Sequence, residues 1–462
     1  MAQKPAASPL PAAGKSAQPV QRCIHPQCEI VFSILERVYV CPNCGGPLEI
    51  DLPLPDPSAA KELKPRWAAR AGSHDPKDIS GVWRYRDLLP FDGDVKIVTL
   101  FEGRTPVYDA PRCAEYAGVS QLFLKHQGCN PTGSFKDTGM TAAVTQAARL
   151  GARTVLCAST GNTAASLAAY AARAGMQAAI LLPQGQISAA KLAQSLDYGA
   201  AVCEIEGNFD DCMRLIQELG AEPSIYVANS INPFRIEGQK TVAFEFLEQR
   251  EWRVPDHVVV PGGNLGNSTA LGKGFEELLA LKLIDRLPRL HVIQAVGAAP
   301  LARLFAALGD VARKPDAPLP SQMKMVDHPV TLATAIKIGA PVSWRKALRA
   351  VLKSGGQVIT VSEQEIADAK AIIGRDGVGC EPASATTVAG IRRLAAAGHI
   401  GREENVVAVL TGHVLKDPDY VSQYHRGTLA LETAGITGTF ANVPQRVAAE
   451  KRAVLDLLEK RR

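Results

Sequence analysis

No run of about 18 apolar residues occurs in this chain, the length a helix needs to cross a bilayer, so no membrane span is expected. There is no charged N-terminal segment followed by an apolar one, which argues against a secretory signal and for a cytoplasmic protein. Basic residues do not run together or interleave with aromatics, and the net charge is only +5. A nucleic-acid partner is therefore not expected. The stretch from Met1 to Gln21 has no acidic residue and is rich in Ala, Pro, Ser and Gln. It cannot bury a core, and a disordered tail is expected over 1–22. Arg is absent before Arg22, which argues against an organelle-targeting peptide. No internal repeat is present.

What the chain does have is cysteine. Its ten cysteines fall into two groups. Cys113, Cys129, Cys157, Cys203, Cys212 and Cys380 are scattered, mostly in apolar segments, and read as small hydrophobes in a reducing compartment. Cys23, Cys28, Cys41 and Cys44 cluster within 23–50, as C-x4-C followed by C-P-N-C-G-G. Thiolates on two tight turns suit tetrahedral zinc, which wants sulfur at about 2.3 Å. The second pair is a good knuckle, with Pro and Gly shaping a turn that points amides at sulfur. The first pair is looser than C-x2-C, with His25 as an alternative ligand. Structural zinc is expected, and the competing reading is a degenerate, metal-free knuckle.

The length allows more than one domain. Residues 51–80 are rich in Pro and Lys and read as a linker. From 81 to 440 the pattern alternates. Thr154 to Ala158, Ala178 to Leu182, Ala201 to Ile205, Ile225 to Ala228, His257 to Val260, His291 to Ala295, Gln357 to Val361 and Val406 to Leu410 read as strands between Ala- and Leu-rich helices. That is an α/β architecture of parallel sheets with crossover helices. Val311 to His328 reads as a mobile excursion, and 441–462 as a C-terminal solvated helix. Ligand sites in such folds lie where strands run into helix N-termini.

Four strand ends carry candidate chemistry. After the apolar Leu122-Phe123-Leu124 comes NPTGSFKDTGM, Asn130 to Met140, which places Lys136 at a helix start. Small and apolar neighbours and the helix dipole disfavour its ammonium form, leaving a nucleophilic amine. The alternative is a solvated surface lysine. Cys157 to Ser166 ends a strand and offers the Asn162 amide with several hydroxyls, suited to a carboxylate or phenolate; a plain N-cap is the alternative. Pro261 to Ser268 follows a Val-rich strand, and its glycines let backbone wrap a phosphate. It is neither a Walker loop nor the dinucleotide fingerprint, for lack of the Gly-Lys-Ser/Thr and of the glycine spacing. Leu410-Thr411-Gly412-His413 puts a hydroxyl at a strand end. Together these describe a pyridoxal phosphate site. Lys136 forms the Schiff base, Asn162 meets the ring hydroxyl, the glycine loop holds the phosphate and Thr411 meets the ring nitrogen.

These motifs, with Ala228 to Thr241 (ANSINPFRIEGQKT), Ala335 to Gly339 and Cys380-Glu381-Pro382-Ala383-Ser384, resemble the threonine synthases. These are tryptophan synthase β-like, fold type II pyridoxal phosphate enzymes. The resemblance covers about 101–417 and implies two parallel-sheet-rich domains with the cofactor in the cleft between them. The smaller would be an inserted α/β subdomain at about 115–232. It implies conversion of O-phospho-L-homoserine and water to L-threonine and phosphate, in a homodimer. By position, Lys136 matches the Schiff-base lysine and general base, Asn162 and Thr411 the ring partners, and Gly262, Gly263, Asn264, Leu265 and Gly266 the phosphate loop. Thr163, Asn229, Ser230 and Arg235 match the groups that hold the substrate phosphate. Thr138 and Lys337 depart from the Arg common at those positions. The rivals are another fold type II lyase, such as a threonine dehydratase, cysteine synthase or cysteate synthase, and a non-catalytic zinc-knuckle interaction protein.

Overall fold

Alternation of strand and helix produces two parallel sheets in the computed structural model, which describes residues 18–25, 27–185, 189–315, 317–432 and 434–460. The chain opens on a small antiparallel sheet, with β1 (Val20–Cys23) between β2 (Val31–Ser33) and β3 (Leu48–Asp51). Short helices α1 (Pro57–Ala60), α2 (Leu63–Ala71) and α3 (Pro76–Ile79) follow. Then come β4 (Val107–Asp109), α4 (Pro111–Ala117), β5 (Gln121–His126) and α5 (Lys136–Arg149).

The next stretch forms the smaller sheet. It runs β6 (Thr154–Ala158), α6 (Asn162–Ala174), β7 (Gln177–Pro183), α7 (Ala189–Asp197), β8 (Ala201–Ile205), α8 (Phe209–Leu219) and β9 (Ile225–Val227). Its four strands are parallel, in the order β8-β7-β6-β9. Helix α9 (Pro233–Gln249) returns the chain to the larger sheet through β10 (His257–Pro261), α10 (Gly266–Ala280), β11 (Arg289–Ala295), α11 (Pro300–Ala307) and α12 (Trp344–Ser354). It continues through β12 (Val358–Val361), α13 (Glu363–Arg375), α14 (Pro382–Ala396) and β13 (Asn405–Leu410). This sheet has the order β12-β11-β10-β13-β5-β4 and is parallel except for β4. Helices α15 (Pro418–Arg426) and α16 (Lys451–Glu459) close the chain. No helix among the described residues is long and apolar enough to cross a membrane.

Successive strand residues point to opposite faces, so unbroken apolar strands need helices on both sides. Val258 and Val260 pack with Phe244 of α9 and Phe275 of α10. Val259 and Ala408 pack with Val388 and Ile391 of α14 on the other face. The smaller sheet does the same, with Val155 facing Leu167 of α6 and Leu156 facing Ile216 of α8.

Several expected boundaries move. The tail expected over 1–22 gives way to strand β1 at Val20, and residues 1–17 lie outside the described ones. The linker expected over 51–80 is largely helical. Pro57 and Pro76 open α1 and α3, where proline's missing N–H is harmless, and Asp56 and Asp75 cap them. Trp67 of α2 is fully buried, its ring stacked 5.8 Å from Phe244. The smaller subdomain expected from about 115 begins later, because β5 pairs with β13 in the larger sheet. Of the C-terminal helix expected over 441–462, the described residues hold Lys451–Glu459, and 461–462 lie outside them.

At the N-terminal edge of the larger sheet, the backbone N–H of Gln357 donates to His291 Nδ1 at 3.0 Å. His291 Nε2 therefore donates to His257 Nδ1 at 2.8 Å, and His257 Nε2 to Glu404 at 2.9 Å. Neither ring can take another proton without breaking this chain. Burial, reinforced by His257, pushes His291 down to about 3. Below the ordinary histidine range the unfolded chain takes up a proton that the folded one refuses, so stability falls as pH falls. Between about pH 7 and pH 5 this histidine is expected to remove roughly 2 kcal/mol. Urea melts of the wild type and His291→Gln at both pH values would show it, with a smaller pH difference in the variant.

Candidate active site

The loop from β5 to α5 is closed by Asp137. Its carboxylate accepts Thr132 N at 2.7 Å, Thr132 Oγ1 at 2.6 Å and Ser166 Oγ at 2.6 Å. Burial pushes Asp137 up to about 6. These bonds fix the turn and the direction of its neighbour, Lys136, the first residue of α5. Lys136 is half-buried, reaching into the cleft with Nζ 4.3 Å from the Phe135 ring centre. The protein walls, and then the charge of Arg235, push its pKa down to about 7 against the pull of Glu381. At neutral pH much of it is free amine.

Arg235 lies in the first turn of α9, which is capped by Asn232. It is 2 % exposed. One guanidinium nitrogen donates to Ala228 O at 3.1 Å, while buried Nε has no partner. Burial pulls its pKa down to about 10. Helix α9 crosses α5 where Gly238 meets the Thr138 carbonyl, and a β-carbon at Gly238 would collide with that oxygen. This contact brings the two helix starts together.

The loop after β10 runs over Gly262, Gly263, Asn264 and Leu265 into Gly266 of α10. Leu265 adopts a left-handed conformation, φ 64°. The first N–H groups of α10 have no acceptor within the helix and leave the positive end of its dipole at this loop. Gly266 lies against Gln239 and Ile236 of α9, and Gly263 against Ala335 and Ile336. Both amide atoms of Asn267 are buried without partners.

Asn162 opens α6 from the smaller sheet, and Thr411 ends β13 of the larger one. They meet on one carboxylate: Asn162 Nδ2 donates to Glu381 Oε2 at 2.9 Å and Thr411 Oγ1 to Glu381 Oε1 at 3.0 Å. The Thr411 carbonyl accepts Phe135 N at 2.8 Å, tying the lysine loop to the same strand end. The candidate groups thus gather at the carboxyl ends of strands from both sheets, as α/β folds place ligands.

Some side chains are otherwise engaged. The amide of Asn229 accepts Ala158 N at 3.2 Å and donates to Ala158 O at 3.4 Å, joining the ends of β9 and β6. Asn264 Oδ1 accepts Val342 N at 3.4 Å, leaving its backbone for the loop. Thr163 is buried beside Asn162, Ser230 is half-buried, and Lys337 is exposed just past Ile336. Two neighbours have no role assigned from the sequence. One is Glu381. The other is Lys416, which lies over Gly133 and donates to Gln194 of α7 at the cleft rim. An acidic residue at a helix start reads as ordinary dipole complement, so Glu381 gave no signal alone.

A family model described as "Pyridoxal-phosphate dependent enzyme" matches residues 98–412. The threonine synthase of Methanocaldococcus jannaschii is 45% identical over 401 residues, covering 87% of this chain and 93% of that protein. The threonine synthase of Mycobacterium tuberculosis strain H37Rv is 48% identical over 337 residues, 72% of this chain and 88% of that protein. Among solved structures, a fungal L-serine ammonia-lyase from Rhizomucor miehei superposes with TM-score 0.59 at 17% identity, over 72% of this chain and 100% of that one. A processed threonine deaminase from Solanum lycopersicum gives TM-score 0.57 at 18% identity, over 78% and 85%. At these identities the structures show the shared fold.

Proposed function

This chain belongs to the threonine synthases of the pyridoxal-phosphate dependent enzyme family, and from that membership we propose that its cleft converts O-phospho-L-homoserine and water to L-threonine and phosphate. The cofactor fits the groups present. A half-buried lysine amine, the N-terminal end of α10 and the unpartnered Asn267 amide all await a polar ligand. In this reading Lys136 binds the cofactor covalently, and 262–266 hold its phosphate. Asn162 and Thr411 face its ring oxygen and ring nitrogen. When bound, the cofactor supplies an electron sink that makes the substrate's Cα and Cβ hydrogens removable.

The chain's own groups do the rest. Lys136, freed when the substrate's amine takes its place and with its pKa lowered to about 7, takes the Cα proton, gives it up to water, and then takes the Cβ proton as phosphate leaves from Cγ. Water then adds its hydroxyl to Cβ, and protons return to Cγ and Cα. A hydroxyl at Thr411, rather than a carboxylate, leaves the ring nitrogen unprotonated. In this reading Arg235 offers a planar fork for the substrate phosphate, assisted by Thr163, Asn229 and Ser230. The observation that carries the reading is this buried guanidinium, with Nε unpartnered and close enough to depress Lys136. It provides a second anion site, which a lyase acting on an unphosphorylated substrate does not need.

Arg235→Ala is therefore expected to lower kcat/KM for O-phosphohomoserine by about 100-fold or more, the loss of a charge-assisted, bidentate contact. Cofactor binding, followed by visible absorbance, should change little. Unchanged threonine and phosphate production would remove the assignment.

The cysteine sulfurs of Cys23, Cys28, Cys41 and Cys44 lie within 4.8 Å of one another. Tetrahedral Zn–S bonds set sulfurs roughly 3.8 Å apart. The turn at the second pair is closed by Cys41 N to Gly46 O at 2.8 Å, and His25 donates its backbone N–H toward Cys23 sulfur at 3.5 Å. This supports structural zinc on the four thiolates, with no sulfur left for substrate. Chelation is expected to release about one zinc per chain and lower Tm by roughly 5 °C or more. A metal-free protein with an unchanged melt would refute it.

A further inference from the structure

Glu381 has no part in that reaction, yet two of the proposed ring partners are bonded to it. It precedes α14 as N-cap, but its side chain makes no capping bond. Its carboxylate turns into the cleft instead, where it is 3 % exposed and accepts one hydrogen bond on each oxygen, from Asn162 and Thr411. Among the described residues no lysine or arginine lies within ion-pairing distance of it, and Lys136 and Lys416 act on it only from further away. Burial raises its pKa. The fit is close: a β-carbon at Gly412 would collide with the carboxylate. Ser384 Oγ holds the same strand end by accepting Thr411 N at 2.8 Å and Gly412 N at 3.2 Å.

Thr411 has one hydroxyl hydrogen, and here Glu381 holds it. An unprotonated ring nitrogen needs that hydrogen. Asn162 has two amide hydrogens and can keep one on Glu381 while offering the other to the ring oxygen. We propose that Glu381 is a positioning residue that stands in for the cofactor ring. It ties Asn162 to Thr411 across the cleft before loading and releases the Thr411 hydrogen to the ring nitrogen afterwards. The proposal rests on the cofactor reading above. Its consequence is thermodynamic: the carboxylate stabilises the cofactor-free form more than the loaded one.

The test compares melting temperatures of cofactor-free and pyridoxal phosphate-loaded protein for wild type, Glu381→Ala and Glu381→Gln. In Glu381→Ala the cofactor-free Tm should fall and the loaded Tm should fall less, widening the gap between them by about 3 °C or more. Glu381→Gln, which keeps the shape and one carbonyl acceptor, should lie between. It should also bind pyridoxal phosphate about 3-fold or more tightly than wild type, because a neutral oxygen competes less well for Thr411. Should the alanine variant fail to fold, this affinity still decides. Equal falls in both forms would mean a static structural role and overturn the proposal, as would weaker binding by Glu381→Gln. Wild type that gains neither colour nor Tm with pyridoxal phosphate would overturn the cofactor reading and this proposal with it.

Discussion

Lys136→Ala is expected to lower threonine formation from O-phosphohomoserine by about 10⁴-fold or more, while the protein stays folded. Two functions are lost at once. The amine proposed to bind the cofactor covalently would disappear, and so would the base proposed to take protons from the substrate, which alone contributes roughly 10²–10⁴. The stability arm separates this from a structural defect. The folded state holds Lys136 near 7, well below the ordinary lysine range. At neutral pH the unfolded chain keeps this lysine fully protonated while the folded chain gives part of that proton up, so the side chain works against folding. That penalty fades as pH rises toward the lysine range. The alanine variant should accordingly melt at the same temperature as cofactor-free wild type or above it. Coupled phosphate and threonine assays, with the two melts side by side, make the check. Activity within tenfold of wild type would remove Lys136 from the reaction. An inactive variant with a lower Tm than cofactor-free wild type would trace the loss to structure.

The second large effect is expected from Glu245→Ala, and it falls on stability. Glu245, near the end of α9, is 2 % exposed. Its carboxylate pairs with Lys125 of β5, which has no exposed surface. It also accepts the backbone N–H of Arg104 at 2.6 Å and of Thr105 at 3.0 Å. Lys125 donates further to Thr105 O at 2.6 Å and Gln249 at 2.9 Å. Removing the carboxylate leaves a buried ammonium uncompensated, about 3–5 kcal/mol, and orphans two backbone donors. For a chain of this size the expected fall in Tm is roughly 5 °C or more. Glu245→Leu with Lys125→Met, which removes both charges, should recover part of it, since apolar replacement of a buried pair is often near neutral. The remainder measures the two orphaned N–H groups. An alanine variant melting within about 2 °C of wild type would show that this pair does not anchor β5.

Lys125 also shows what the sequence hides. It sits at the end of an apolar strand with no local signal, and its partner lies 120 positions later. The strand β6, by contrast, was legible to the residue, because Thr154 to Ala158 is bounded by turn residues and buried on both faces. The three-stranded N-terminal sheet was not read, since its strands are three or four residues long and show no period. Helices α1 and α3 are four residues each, too short for a 3.6-residue pattern, so their prolines read as linker. The smaller subdomain expected from about 115 differs from the sheet boundary for another reason. Which sheet β5 joins depends on pairing with β13, almost three hundred residues away.

The candidate site divides the same way. Lys136, Asn162, the glycine loop and Thr411 were readable because each sits in a strand–loop–helix passage with its own local signature. Glu381 and Lys416 were not, because their significance lies in partners from elsewhere in the chain. Asn229 and Asn264 were readable as polar loop residues. Their side-chain bonds to Ala158 and Val342 emerge only in three dimensions.

The small N-terminal sheet touches both halves of the molecule. On the smaller-sheet side, Tyr39 OH accepts Val227 N at 2.9 Å, and Arg37 donates to Leu150 O at 2.6 Å. On the other side, Lys273 of α10 donates to Ile50 O at 2.6 Å, and Arg349 of α12 pairs with Glu49 at 2.6 Å. The sheet is therefore a clasp. The cleft walls cannot separate without stretching contacts on one side of it, so opening becomes a rotation about the clasp instead of a free parting of two bodies. Whatever loosens the four-cysteine knot would be felt more than one domain away, as a faster escape of whatever the cleft holds.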